Sequence, residues 1–151
     1  MSEKPTIGFI GVGFMGHGMA ANILKNGYPL IIKGNQNRTP IDDLVKKGAV
    51  EAESIATLMK SADIIHLCLA NSDQVETVLE GPGGIIENAK TGVIVIDTST
   101  SDPESSLRMS KALKQVGIEF VDAPLGRTPK EAALGTLDAL VGADDHIFET
   151  V

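Results

Sequence analysis

The chain has 151 residues, enough for a single domain with a well-buried core. Its formal net charge of −7 argues against nucleic acid as a partner, and no run of Lys and Arg points to a membrane surface. One cysteine, Cys68, rules out an internal disulfide, and no segment nears the roughly 18 apolar residues of a spanning helix, so a reducing cytoplasm is the expected compartment.

Short apolar runs rich in β-branched residues fall at 6–10, 30–32, 64–69, 93–96, 119–121 and 139–141. Most are continuous in hydrophobicity, which fits strands covered on both faces in a parallel sheet. Helix-like segments lie between them, so the expected fold is a doubly wound α/β sheet of the Rossmann type, one domain over residues 1–151.

The first run leads straight into Gly11-Val12-Gly13-Phe14-Met15-Gly16, and a helix-like segment from Phe14 to Asn26 follows, stopped by Gly27. A strand, then Gly-x-Gly-x-x-Gly, then a helix is the context in which this motif binds a dinucleotide. The first two glycines turn the chain and let backbone approach a pyrophosphate, and the third lets helix and strand pack closely. The helix N-terminus offers unpaired N–H groups to the phosphates.

Further along, Thr39-Pro40-Ile41-Asp42 reads as an N-cap, a first-turn proline and a first-turn acid. Ser54 caps a short helix to about Lys60, and Asn71-Ser72-Asp73 opens one to about Leu79. A loop covers 80–84, and Ser101-Asp102-Pro103-Glu104 starts a helix that runs to about Val116 before Gly117. Residues 144–151 read as the first turns of a helix with no closing cap, which leads us to expect a further C-terminal part.

The segment after the second strand bears on cofactor choice. NAD-binding sheets usually carry an acid roughly 20 residues past the glycine motif, where it bonds the ribose 2′-OH. Here Lys33-Gly34-Asn35-Gln36-Asn37-Arg38 holds no acid, and the first is Asp42. Asn35, Asn37 and Arg38 would meet a 2′-phosphate without a repelling carboxylate, so NADP is favoured over NAD. The plain alternative for Arg38 is a solvated loop charge.

These motifs, taken together, resemble the β-hydroxyacid dehydrogenase family (the 3-hydroxyisobutyrate dehydrogenases, tartronate semialdehyde reductases and 6-phosphogluconate dehydrogenases). The resemblance rests on Gly8 to Gly16 with Met19-Ala-Ala-Asn22, on Leu69-Ala-Asn71 with Val75, and on Asp97-Thr-Ser-Thr100. Phe120-Val-Asp-Ala-Pro124 and Gly135-Thr-Leu137 with Val141-Gly142 complete it. It implies an oxidoreductase that moves hydride between a nicotinamide and a small anionic aldehyde or its primary alcohol. It also implies that the turn Leu69, Ala70, Asn71 and the residue Thr98 meet the cofactor, and that Ser99 meets the substrate. Asn71 could equally be a helix cap, and 97–100 an ordinary Ser/Thr-rich turn.

After Pro124 many members of the family carry Ser-Gly-Gly, whereas this chain reads Leu125-Gly126-Arg127-Thr128. A Gly-Arg-Thr here is similar to the family's sulfolactaldehyde reductases. Gly126, Arg127 and Thr128 are therefore the expected grip on a substrate's carboxylate, sulfonate or phosphate, since guanidinium and hydroxyl supply donors together. Arg127 as a mere surface arginine is the alternative.

The family's general acid/base is a lysine on a later helix, and no lysine of this chain matches its motif, so catalytic residues are expected to be absent and the chain alone inactive. Homo-oligomer contacts would come through that C-terminal part. His17, His66 and His146 have no partner acid at readable spacing, and no His/Cys cluster has metal-ligand spacing. The rival reading is a non-catalytic dinucleotide-binding module or an orphan fragment.

Overall fold

The computed structural model describes residues 4–151. Six parallel strands form one sheet: β1 (Ile7–Ile10), β2 (Leu30–Lys33), β3 (Val50–Ala52), β4 (Ile64–Leu67), β5 (Ile94–Asp97) and β6 (Glu119–Asp122). Their order is β3-β2-β1-β4-β5-β6, so the chain works outward from β1 to one edge and then returns to the other. All four residues of the central β1 are buried, as its unbroken apolar run requires.

The crossovers are α1 (Phe14–Lys25), α2 (Arg38–Lys46), α3 (Ile55–Ser61), α4 (Ser72–Glu80) and α5 (Pro103–Gln115). Local chemistry starts most of them. Ser54 accepts from Thr57 N at 3.1 Å, Asn71 from Gln74 N at 3.0 Å, and Asp102 from Ser105 N at 3.1 Å. Pro103 follows Asp102 in the first turn, where its missing N–H costs nothing.

The sheet buries both faces. On one side Phe9, Ile32, Ile41, Leu44 and Ala20 join β1 and β2 to α1 and α2. On the other, Ile65, Leu67 and Val95 meet Leu58, Met59, Leu79, Met109 and Leu113 from α3, α4 and α5.

Beyond β6 the chain forms β7 (Leu125–Gly126), α6 (Pro129–Leu134), β8 (Asp138–Ala139) and α7 (Asp145–Phe148). Helix α6 lies against α1 with unusual closeness. A Cβ at Gly18 would sit 2.6 Å from Ala133 N, and Asn22 Nδ2 donates to Ala132 O at 2.9 Å. Met19-Ala-Ala-Asn22 thus has a packing role.

Three expectations are corrected. Residues 139–141 do not add a strand to the main sheet. Asp138–Ala139 turn back antiparallel onto Leu125–Gly126, and Leu140 is left 78% exposed. Strand β3 was not foreseen, because Val50-Glu51-Ala52 has one buried residue and no apolar run. Helix α2 starts two residues earlier than Thr39 suggested. Asn37 caps it, accepting from Thr39 N at 3.2 Å, and Pro40 occupies the first turn behind it.

Candidate functional site

The C-terminal ends of β1, β2, β4, β5 and β6 share one edge, as parallel strands must, and ligands of open α/β sheets bind along it. The glycine turn shows a division of labour. Gly11 has φ +100 and a Cβ there would run into Cys68 O, while a Cβ at Gly16 would run into Gly11 O. Both are glycines because backbone crosses backbone. Gly13, the N-cap of α1, has nothing among the described residues within 4 Å of where its Cβ would be. Its bareness serves no internal packing and leaves the first amides of α1 open to the outside.

That opening is a cleft of about 640 Å³ between the N-termini of α1 and α2. Gly13, Phe14 and Asn37 line it, and Phe14 is 93% exposed. His17, Thr39, Pro40, Asp43 and Lys47 line it too, and sequence reasoning missed all five. His17 has a partner acid in space that the sequence spacing did not show: Nε2 lies 2.6 Å from Asp43 Oδ2. Lys47 bonds the same carboxylate, and these hydrogen bonds, that of Lys47 first and that of His17 second, hold Asp43 below the usual carboxylate range. The pair joins positions 26 apart on two helices, so no local pattern announces it.

Arg38 is not a free loop charge. Its Nη1 and Nη2 reach both oxygens of Glu51 at 2.7 and 2.8 Å, and Nη2 also reaches Asp42 at 2.9 Å. These bonds raise the guanidinium's pKa and keep Glu51 ionised below its ordinary range. The expectation of NADP assumed no carboxylate at the end of β2. That premise is corrected, because Glu51 arrives there from β3. Asn35 is exposed beside it.

The β4 and β5 ends are stapled together. Leu69 N donates to Ser99 Oγ at 2.9 Å, and Thr98 Oγ1 donates to Leu67 O at 2.6 Å. Ser99 N in turn donates to the fully buried Asp97 at 2.9 Å. Ser99 is 2% exposed and Thr98 5%, so both hydroxyls shape the edge from beneath instead of facing the opening. Asn71 occupies its helix-cap position, and Ala70 N donates to Gln74 Oε1 at 3.2 Å. Burial pushes the Cys68 thiol up, which leaves it a poor nucleophile.

In the loop after β6, Gly126 pairs with Asp138 across the small hairpin. Arg127 has φ +74, a left-handed conformation that is strained for any residue with a Cβ. Its Nε donates to Asp138 Oδ2 at 2.6 Å while half the side chain stays exposed. Thr128 caps α6, and its hydroxyl and N–H both go to Glu131. The Thr128 hydroxyl is therefore committed, and Arg127 is the group of the three with donors left over.

His66 lies on β4 with Nδ1 buried and without a hydrogen-bond partner among the described residues, and burial drives its pKa down to about 4. With Met19, Ile96, Val121, Ala123 and Phe148 it lines a second, mostly apolar cleft of about 380 Å³. Among the described residues no group of three or more His, Cys, Asp or Glu could hold a metal, and no helix is long and apolar enough to cross a membrane.

Comparison with known proteins shows the family and the fold. Residues 6–151 match the family described as the NAD binding domain of 6-phosphogluconate dehydrogenase. The chain is 38% identical over 151 residues to the 2-(hydroxymethyl)glutarate dehydrogenase of Eubacterium barkeri, covering 100% of the chain and 50% of that protein. It is 33% identical over 146 residues to the 2-hydroxy-3-oxopropionate reductase of Escherichia coli (strain K12), covering 96% and 49%. The solved structure of Psf3 in complex with NADP+ and 2-OPP superposes with a TM-score of 0.89 at 30% identity, over 95% of this chain and 51% of that one. The chain spans about half the length of the curated relatives it matches.

Proposed function

This chain belongs to the β-hydroxyacid dehydrogenase family as an N-terminal NAD-binding domain, and from that premise we propose that residues 1–151 form the cofactor-binding half of an NAD(P)-dependent oxidoreductase. Its substrate would be a small aldehyde with an anionic group, interconverted with the primary alcohol. The observation that carries the proposal is Gly13, bare on the outside, at the head of α1 and on the wall of the cleft. A Cβ there would fill the space a pyrophosphate needs, and the α1 amides behind it supply donors and a positive dipole end.

The fit of the cofactor to these residues is chemical. The turn 11–16 would hold the pyrophosphate, and Asn35, Asn37 and the Glu51–Arg38 pair would face the adenosine ribose. Leu69, Ala70, Asn71 and Thr98 would border the nicotinamide end. The nicotinamide supplies the hydride chemistry; the protein supplies position and charge. Ser99 acts in this reading by holding the Leu69 turn in place.

Substrate recognition falls to the loop 126–128. Arg127 keeps a strained backbone on the ligand-binding edge, and its ion pair with Asp138 is exposed enough to exchange for a ligand oxyanion. A sulfonate has three acceptor oxygens for the guanidinium fork and nearby N–H groups, a carboxylate two, so a three-carbon sulfonate aldehyde is the preferred candidate. Any homo-oligomer contacts would come through a C-terminal part like that of the relatives. The experiment is a panel of anionic aldehydes, sulfolactaldehyde and tartronate semialdehyde among them, assayed with NADH and NADPH on a protein containing this domain and a relative-like C-terminal half. Binding of nucleotide without turnover of any aldehyde would favour a non-catalytic module.

A further inference from the structure

Glu51 stands in an unexpected place. Strand β3 pairs with β2 so that Glu51 lies beside Ile32, with Ala52 beside Lys33. Neighbours across a parallel ladder point to the same face, and so does a residue two further along the strand. Glu51 therefore shares the α1/α2 face with Ile32 and with Gly34, the first residue past β2. A Cβ at Gly34 would collide with Glu51 Oε1, would sit 2.7 Å from Ile41 Cδ1 and would lie 3.4 Å from Arg38 Nη1. The missing side chain of Gly34 makes the hole in which the carboxylate and the guanidinium meet.

This spot is the C-terminal end of β2, where dinucleotide-binding sheets keep the acid that bonds a ribose 2′-OH or the cation that takes a 2′-phosphate. Here the acid comes from the neighbouring strand. Resting on the dinucleotide reading above, we propose that Glu51 sets the cofactor choice: its carboxylate replaces the acid that β2 lacks, occupies Arg38 bidentately, and makes NAD(H) the preferred cofactor over NADP(H).

The charge balance supports this direction. Arg38 faces Glu51 and Asp42 together, so the guanidinium is neutralised before any ligand arrives. Lys33 Nζ is turned to Gly34 O at 2.9 Å, at the same corner. Two cations and two carboxylates offer no net positive charge to a 2′-phosphate carrying close to two negatives. A ribose hydroxyl can still donate to Glu51, whose side chain is 31% exposed, because a carboxylate has more acceptor sites than Arg38 uses.

The test is titration of the chain with NADH and NADPH, followed by nicotinamide fluorescence, for the unsubstituted protein, Glu51→Gln and Asp42→Asn. Gln keeps the shape and one bond to Arg38 but removes the charge. The unsubstituted chain is expected to bind NADH at least tenfold more tightly than NADPH. Glu51→Gln is expected to lower the ratio of Kd for NADPH to Kd for NADH at least tenfold, and Asp42→Asn less than threefold. A merely structural role would weaken both nucleotides together and leave the ratio alone, and that result overturns the proposal. An equal shift in Asp42→Asn also overturns it, since any surface carboxylate would then do. Failure of the unsubstituted chain to bind either nucleotide overturns the dinucleotide reading itself, and this proposal with it.

Discussion

The imidazole of His66 lies parallel to the ring of Phe9, centroids 5.1 Å apart and planes inclined by 2°. The two face each other across the β1–β4 ladder, where their register pairs them directly. Burial favours the neutral ring, because a charged imidazole would lose its water and gain no acceptor.

Stability should therefore fall with pH in one window. The unfolded chain takes up a proton near 6.5 and the folded chain only near 4. The contribution is complete above pH 6.5 and is lost as pH falls toward 4, by about 3 kcal/mol at most. Below 4 both states are protonated and no further loss comes from this group. His66→Phe keeps an aromatic ring on Phe9, removes the unpartnered nitrogen, and should flatten this part of the profile. Thermal melts of both proteins from pH 7.5 to 4 check it. Identical slopes would show that other groups carry the pH dependence.

The glycine turn predicts two different failures. Gly13→Val should melt near the unsubstituted temperature, since nothing lies within 4 Å of its Cβ, yet lose NADH binding by a hundredfold or about 3 kcal/mol. Gly16→Ala should instead destabilise the fold by about 2 kcal/mol or more, because its methyl meets Gly11 O. Melting and titration of both variants separate the cases. A Gly13→Val protein with unchanged affinity would place the nucleotide elsewhere.

At Arg127 the backbone itself is measurable. With φ +74, Arg127→Gly should be more stable than Arg127→Ala by about 1 kcal/mol, although both lose the ion pair to Asp138. Both should raise KM for an anionic aldehyde at least tenfold while leaving nucleotide Kd within twofold. A KM that moves only in the less stable variant would trace the effect to folding and would remove Arg127 from substrate binding.

The 151 residues by themselves are expected to bind a reduced nicotinamide nucleotide and to reduce no aldehyde. The lysine that the family resemblance implies as general acid/base has no motif-matched counterpart among Lys111, Lys130 or the others. Aldehyde-dependent loss of absorbance at the nicotinamide band, above a blank, would show a catalytic group within the chain.

Much of this protein is written in short stretches of sequence. The strand, the glycine turn and helix α1 are legible together because each depends on residues within a few positions. The same holds for the caps at Ser54, Asn71 and Asp102, where a side chain bonds an amide three residues on. Where local choices competed, the sequence misled. Asn37 and Thr39 are both good caps, and the end of β2 decides which of them lies at the helix start. Strand β3 has no apolar run to betray it, since an edge strand needs only one buried residue.

The chemistry of the cleft was decided in three dimensions. Arg38 and Glu51 are 13 residues apart, His17 and Asp43 are 26, and Asn22 and Ala132 are 110. Charge and hydrogen-bonding capacity are properties of a residue, and the sequence alone determined that these groups were present. Whether a guanidinium is free or clamped, and whether a hydroxyl such as that of Ser99 faces outward or bonds a neighbouring turn, depends on which elements the sheet brings side by side. A bond fixed by distance in space falls off within a few ångströms, so separation along the chain holds no record of it.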